Sequence, residues 1–250
     1  MAAKLTILLT NDDGYFAPGI AALRKSLAKI ARVITVAPDR DRSGASHSLT
    51  VTRPLRLKKL ESDFYIIDGT PTDAVMVSVN YLLKKKPDLV ISGINGGANM
   101  GEDVTYSGTV AAAIEGALFG IDSIAVSLTG NGHTDYSKAA MFTRRIAKIV
   151  AQNGLPEGVL LNINVPDDPR TDIKKYAITR LGKRVYEDII TEKIDPRGNS
   201  YLWIAGKMKV TGKGPDTDYG AIERKIISIT PLAIDTTATD FMPALSKWRI

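Results

Sequence analysis

The sequence predicts an α/β fold: a doubly wound, mostly parallel sheet with a hairpin-rich C-terminal extension. Three observations predict it. Over the first 130 residues, apolar β-branched runs alternate with stretches of helical periodicity, the pattern of βαβ units whose sheet is covered on both faces. Runs such as Leu5-Thr6-Ile7-Leu8-Leu9-Thr10 are apolar without strict alternation, as strands buried on both faces require. From about residue 170 the β segments shorten, and Gly, Pro and Asp separate them. We therefore expect an α/β core over residues 1–170 and a hairpin-rich extension over residues 171–250.

The elements follow in order. After the opening strand, Pro18 fits a first helical position, where its missing N–H costs nothing. Ile20, Leu23, Leu27 and Ile30 then form one apolar face at helical spacing. Val33–Ala37 reads as a strand that Pro38 ends, and a polar loop from Asp39 to Ser48 follows. Phe64–Ile67 is a short strand. Thr70-Pro71-Thr72-Asp73 resembles a capping box with Pro at the first helical position. Val75, Val79, Leu82 and Leu83 supply that helix's buried stripe. Asp88–Ser92 is a strand, Gly93–Gly101 a glycine-rich loop, and a helix begins near Ser107. Ser123–Leu128 and Val159–Val165 are further strands. Between them lies a helix over Asp135–Gln152, with Phe142, Ile146 and Ile149 on one face and Gly154 past its end. Tyr176–Arg180, Tyr201–Ala205 and Ile226–Thr230 are the short β segments of the extension.

Composition narrows the chemistry. The chain has 250 residues, 44% of them hydrophobic and 24% charged, an ordinary globular balance. It has no cysteine, which excludes disulfides, thiolate nucleophiles and zinc–thiolate sites. No apolar run approaches the roughly 20 residues that span a bilayer, and the first strand begins too early for a signal peptide, so we expect a cytoplasmic protein with no membrane partner. The net charge of +6 suits anionic substrates, but the basic residues are dispersed. Lys84-Lys85-Lys86 is the densest run and reads as a solvated helix end. No specific nucleic-acid binding is expected, for want of aromatic–basic interleaving.

Polar clusters recur where strands end. The first strand leads into Asn11-Asp12-Asp13-Gly14, the second into Ser43-Gly44-Ala45-Ser46, and the strand at Ser92 into a loop holding Asn95 and Asn99. In a doubly wound sheet such loops converge on one crevice. Their shared chemistry is hard oxygen: carboxylates, hydroxyls and amide carbonyls, which suit Mg²⁺ or Mn²⁺. Asn, Asp and Gly are also the commonest turn residues, so the acidic pair by itself reads equally as a turn. Tyr106-Ser107-Gly108-Thr109 opens a helix. Ser107 is an N-cap candidate, and the same helix start can hold a phosphate; beside an acidic metal site the second reading is favoured. A P-loop motif is absent, and the Gly93–Gly101 loop lacks dinucleotide-binding spacing. With only His47 and His133, no histidine-rich metal site can form. His47 could protonate a leaving group, touch substrate, or sit idle in solvent.

Taken together, Thr10–Gly14, Ala37–Gly44, Gly69–Asp73 and Ser92–Asn95 through Tyr106–Thr109 resemble the stationary-phase survival protein SurE family. The likeness covers residues 4 to about 128. Asn162–Pro166, Asp195–Asn199 and Gly214–Asp218 extend it into the C-terminal part. The family's members are metal-dependent nucleoside-monophosphate phosphatases on a Rossmann-like sheet. The resemblance implies that Asp12, Asp13, Ser43 and Asn95 hold one divalent ion per subunit, Mg²⁺ or Mn²⁺. It also implies that Asn99, Ser107, Gly108 and Thr109 face the phosphate, and that Asp12 and Asp13 are catalytic, Asp12 as base or nucleophile. His47 stands where the family pattern carries asparagine. A homodimer or homotetramer that exchanges C-terminal segments is implied as well. The expected activity is hydrolysis of nucleoside 5′- or 3′-monophosphates, with exopolyphosphatase activity at the side. A nucleotide-binding regulatory module with little chemistry is the rival reading.

Overall fold

The computed structural model describes residues 5–130, 132, 135–187, 190–204 and 207–248. Its core is a nine-stranded sheet assembled from both sides of residue 170. In chain order the first strands are β1 (Thr6–Thr10), β2 (Arg32–Pro38), β3 (Leu57–Glu61), β4 (Phe64–Ile67), β5 (Leu89–Gly96), β6 (Asp122–Thr129) and β7 (Val159–Pro166). After residue 170 come β8 (Tyr176–Ile178), β9 (Arg184–Glu187), β10 (Ile190–Ile194), β11 (Ser200–Ile204), β12 (Lys207–Val210) and β13 (Ile227–Ala233). The helices are α1 (Pro18–Leu27), α2 (Pro71–Val77), α3 (Gly108–Leu118), α4 (Ser137–Asn153), α5 (Asp218–Glu223) and α6 (Met242–Leu245).

The sheet order is β3-β4-β2-β1-β5-β6-β7-β13-β8. From β4 across to β7 all neighbours are parallel, whereas β3 and β13 run antiparallel to β4 and β7. The chain leaves β1 in one direction to build β2 and β4, then returns to its other side with β5. The crevice beyond the carboxyl ends of β1 and β5 is thus the topological switch point, where ligands bind in such sheets.

Alternating side chains of β1 feed two cores, the period-2 rule of a strand covered on both faces. Ile7 and Leu9 pack with Ile20, Leu23 and Leu27 of α1 and with Phe142 and Ala147 of α4. Leu8 points to the other side, with Ala74 and Val75 of α2 and Ala112 of α3. In α4 the stripe runs through Phe142, Ile146 and Val150, whereas Ile149, expected on that face, is 42% exposed. Val150 completes the i, i+4, i+8 row, and Ile149 falls on its border. The capping box at Thr70 forms as read: its side chain accepts from Asp73 N–H while Asp73 accepts from Thr70 N–H. Lys86, at the end of the basic run, donates through Nζ to the Phe119 carbonyl at 2.7 Å, so it serves the C-terminus of α3.

Beyond β8 the chain makes an antiparallel arm. β9 pairs with β12 and β10 with β11, with Arg184 opposite Val210 and Ile190 opposite Ile204. Ile190, Ile194, Leu202, Trp203 and Ile204 are all exposed on it. Ala205, the last residue of an expected strand, and His133 lie outside the described residues.

Candidate active site

β1 delivers Asn11, Asp12 and Asp13 to the switch point. Asp12 is 4% exposed. The hydroxyl of Thr109, in the first turn of α3, donates to its Oδ1. Gly108 permits this approach: a Cβ there would lie 2.9 Å from the Asp12 Cβ. Burial, with the neighbouring Asp13 charge adding to it against the Thr109 hydrogen bond, pushes the Asp12 carboxyl up to about 6. Asp13 accepts from the Gly96 N–H at 3.0 Å, which joins the end of β1 to the end of β5. One residue before Gly96, Asn95 donates its Nδ2 to the Gly97 carbonyl at 2.8 Å, turning its amide oxygen the other way.

The second loop arrives from β2. Arg42 N–H donates to the Asp12 carbonyl at 2.8 Å, so Ser43 stands beside the acidic pair. Ser43 is exposed, and both its N–H and its hydroxyl donate to Asp41 Oδ1, at 2.7 and 2.6 Å. The hydroxyl oxygen keeps its lone pairs for another partner. Ser46 secures the loop to the turn before α3, N–H to the Tyr106 carbonyl and Oγ to the Thr105 carbonyl.

The structure brings Asp12, Gly108 and Thr109 together by direct contact, with Asp13 next to Asp12 in the chain, Asn95 through Gly96 and Ser43 through Arg42. Ser107 caps α3, its Oγ accepting from Val110 N–H at 3.1 Å; its own O–H proton is still available to donate. Thr109 already spends its hydroxyl proton on Asp12. Asn99 lies in a buried network beneath the site: its Nδ2 donates to Ser127 Oγ at 2.8 Å, and its carbonyl accepts from Asn162 and Asn164. These bonds brace the Gly93–Gly101 loop. His47 does not face open solvent alone; its Nε2 is 2.8 Å from Glu115 Oε2 on α3.

Sequence reasoning passed over Asp218. Fully buried, it accepts from the N–H groups of Gly101 and Gly182, each at 2.8 Å. It thereby ties the C-terminal part to the loop that carries Asn95 and Asn99. The Thr217-Asp218 start of a short helix signals a cap, and nothing local signals the long-range contact.

The donor set fits a hard divalent cation. Asp12 carries a burial penalty that a cation would relieve. At the end of β1, and at Ser92 beside it in β5, the buried Thr10 Oγ1, Asn11 Oδ1 and Ser92 Oγ find no partner among the described residues, polar groups suited to a hydrated ion. Carboxylate, hydroxyl and amide oxygens are the ligands such an ion takes.

Acidic loops at a switch point, facing a helix N-terminus, define a class of α/β protein equipped for anionic, phosphate-bearing ligands. The family model for Survival protein SurE matches residues 7–188, and the chain belongs to that family. It is 49% identical over 247 residues to the 5′-nucleotidase SurE of Geotalea uraniireducens, covering 98% of this chain and all of that one. It is 47% identical to the 5′-nucleotidase SurE of Moorella thermoacetica, over 98% of this chain and 96% of that one. The crystal structure of the SurE protein from Aquifex aeolicus superposes with a TM-score of 0.87 at 46% identity, covering 96% and 98% of the two chains.

Proposed function

We propose that this chain is a metal-dependent 5′-nucleotidase, hydrolysing nucleoside monophosphates to nucleoside and phosphate. The juxtaposition of Asp12 and Asp13 with the Ser107–Thr109 start of α3 carries the reading, supported by relatives of that name at nearly full coverage. Asp12, Asp13, Ser43 and Asn95 would hold one Mg²⁺ or Mn²⁺, which when bound neutralises phosphoryl charge and orients water. The Gly108 backbone and the Ser107 hydroxyl supply donors where charge gathers on the phosphoryl oxygens. Asp12, with one oxygen fixed by Thr109, is placed to take the proton of the attacking water. Phosphate release from AMP with added Mn²⁺, abolished by chelation, is the test. Nucleotide binding without release would instead select the regulatory reading.

Ser107→Ala separates the cap from the cradle. As a cap alone, its loss should cost about 0.5–2 kcal/mol of stability and leave turnover intact. As a phosphate donor too, its loss should also slow turnover roughly 10-fold, the equivalent of about 1.4 kcal/mol in the transition state. We expect both effects, read by thermal melting and steady-state kinetics at saturating metal.

The protein works as a homodimer or homotetramer in the cytoplasm. No described helix is long and apolar enough to cross a membrane. The arm's exposed apolar residues and the C-terminal pair Phe241 and Trp248, in edge-to-face contact yet 48% and 61% exposed, support assembly through these segments. Truncation from Thr236 onward should lower oligomer size or solubility before it weakens metal binding. An unaltered, fully soluble oligomer in light scattering would show that the tail is not an exchanged element.

A further inference from the structure

We propose that His47 and Glu115 form a latch that pins the Asp39–Thr50 loop against α3 and so sets how firmly Ser43 is held at the site. The inference deepens the metal-site reading above and rests on it. Glu115 is a carboxylate whose side chain is only 6% exposed, on a helix whose other buried residues are alanine, valine, glycine and Thr109. A carboxylate so placed needs a polar partner, and among the described residues that partner is His47 Nε2 at 2.8 Å. The loop's other ties go to different elements: Arg42 to Asp12, Ser46 to the Thr105-Tyr106 turn, Ser48 and Thr50 to Thr70 and Asp73. Among the described residues of the loop, His47 alone hydrogen-bonds to the body of α3. Between Ser43 and His47 the backbone turns through Gly44 at φ 74° and Ser46 at φ 53°. A non-glycine residue keeps such a conformation only while its surroundings hold it.

Position argues against direct chemistry by Glu115. Glu115 lies six residues beyond Thr109 on α3 (109 to 115), about 9 Å along the axis at roughly 1.5 Å per residue. That is outside hydrogen-bond reach of a phosphate seated at the helix start. As a latch, the pair is a positioning device acting through the loop.

His47→Ala, with Glu115→Gln and His47→Gln beside it, provides the test. Without metal, trypsin should cut after the exposed Arg40 about 10-fold faster in His47→Ala than in wild type. Calorimetry with Mn²⁺ alone should show roughly 10-fold weaker binding. At saturating Mn²⁺, turnover should fall less than about 3-fold, equally for AMP and for an aryl phosphate. His47→Gln, which keeps a donor, should restore both protection and affinity, and Glu115→Gln, which keeps an acceptor, should lie between. Unchanged cleavage and affinity would overturn the latch. So would a turnover loss confined to AMP, because an aryl phosphate needs no proton on its leaving group and that pattern marks a general acid. If wild type binds no Mn²⁺, the metal reading fails, and the cleavage rates alone still decide the latch.

Discussion

Asp12→Asn should abolish metal-dependent hydrolysis while making the metal-free protein more stable above pH 6. The substitution keeps size and an acceptor for the Thr109 hydroxyl but removes a hard anionic ligand. Losing several kcal/mol of charge stabilisation corresponds to a rate loss of at least about 100-fold. The stability change follows from where the carboxyl sits. Burial raises it from 3.8 to about 6, so between those values the folded chain binds more proton than the unfolded one. Its stabilising contribution is complete below about pH 4 and is lost as pH rises through 6. Above that the wild-type carboxylate carries a penalty on the order of 3 kcal/mol, which asparagine does not. In chelator at pH 8 the variant should melt higher than wild type; near pH 4 the two should converge. Mn²⁺ should raise the melting temperature of wild type and leave the variant unmoved. Asp13→Asn, at a less buried position, should lose activity comparably with little gain in stability. Near-normal turnover by both variants at saturating metal would remove the acidic pair from the site.

The helix-covered half of the sheet was legible in the sequence because it is written in local periodicity. β1, β2, β5, β6 and β7 are short apolar runs, and α1, α2 and α4 carry their own start signals or stripes. The place of the acidic pair, just past the end of β1, was legible for the same reason, since strand, polar turn and helix follow one another. What escaped depends on partners far away in the chain. β13 reads as one more short segment, yet it pairs antiparallel to β7 along Val159–Asn164, a choice made by the open sheet edge and not by its own residues. The Lys-rich β3 is exposed at the opposite edge and lacks the apolar pattern that marks a buried strand. Thr109 meets Asp12 across 97 residues, Glu115 meets His47 across 68, and Asp218 meets Gly101 across 117. No spacing rule reaches that far. The motifs could suggest candidate donors, but only the fold showed that Thr109 spends its proton on Asp12 and that Asn99 bonds to Ser127, Asn162 and Asn164.

Gly19→Ala should destabilise the protein, although alanine is the better helix former. In α1 a Cβ at residue 19 would lie 2.0 Å from the Ile94 carbonyl oxygen and 3.1 Å from a ring carbon of Tyr136. Helix propensity favours the substitution by at most about 1 kcal/mol. Against that, the obstructing atom belongs to the backbone of β5 and cannot rotate away. Relief requires α1 to lift from the sheet, which opens the packing of Ile20, Leu23 and Leu27 on Ile7 and Leu9, or β5 to yield at Ile94. Overpacking of this kind costs about 1–3 kcal/mol, and the immovable contact places this case at the upper end, so destabilisation wins. The second relief displaces Ile94, and Asn95 follows it directly in the chain. Denaturant titration should therefore show a net loss of about 2 kcal/mol, and calorimetry a weaker Mn²⁺ affinity where β5 is the element that yields. A gain in stability with unchanged affinity would mean that α1 does not seat on the Ile94 carbonyl, and that Asn95 is positioned by β5 and β6 alone.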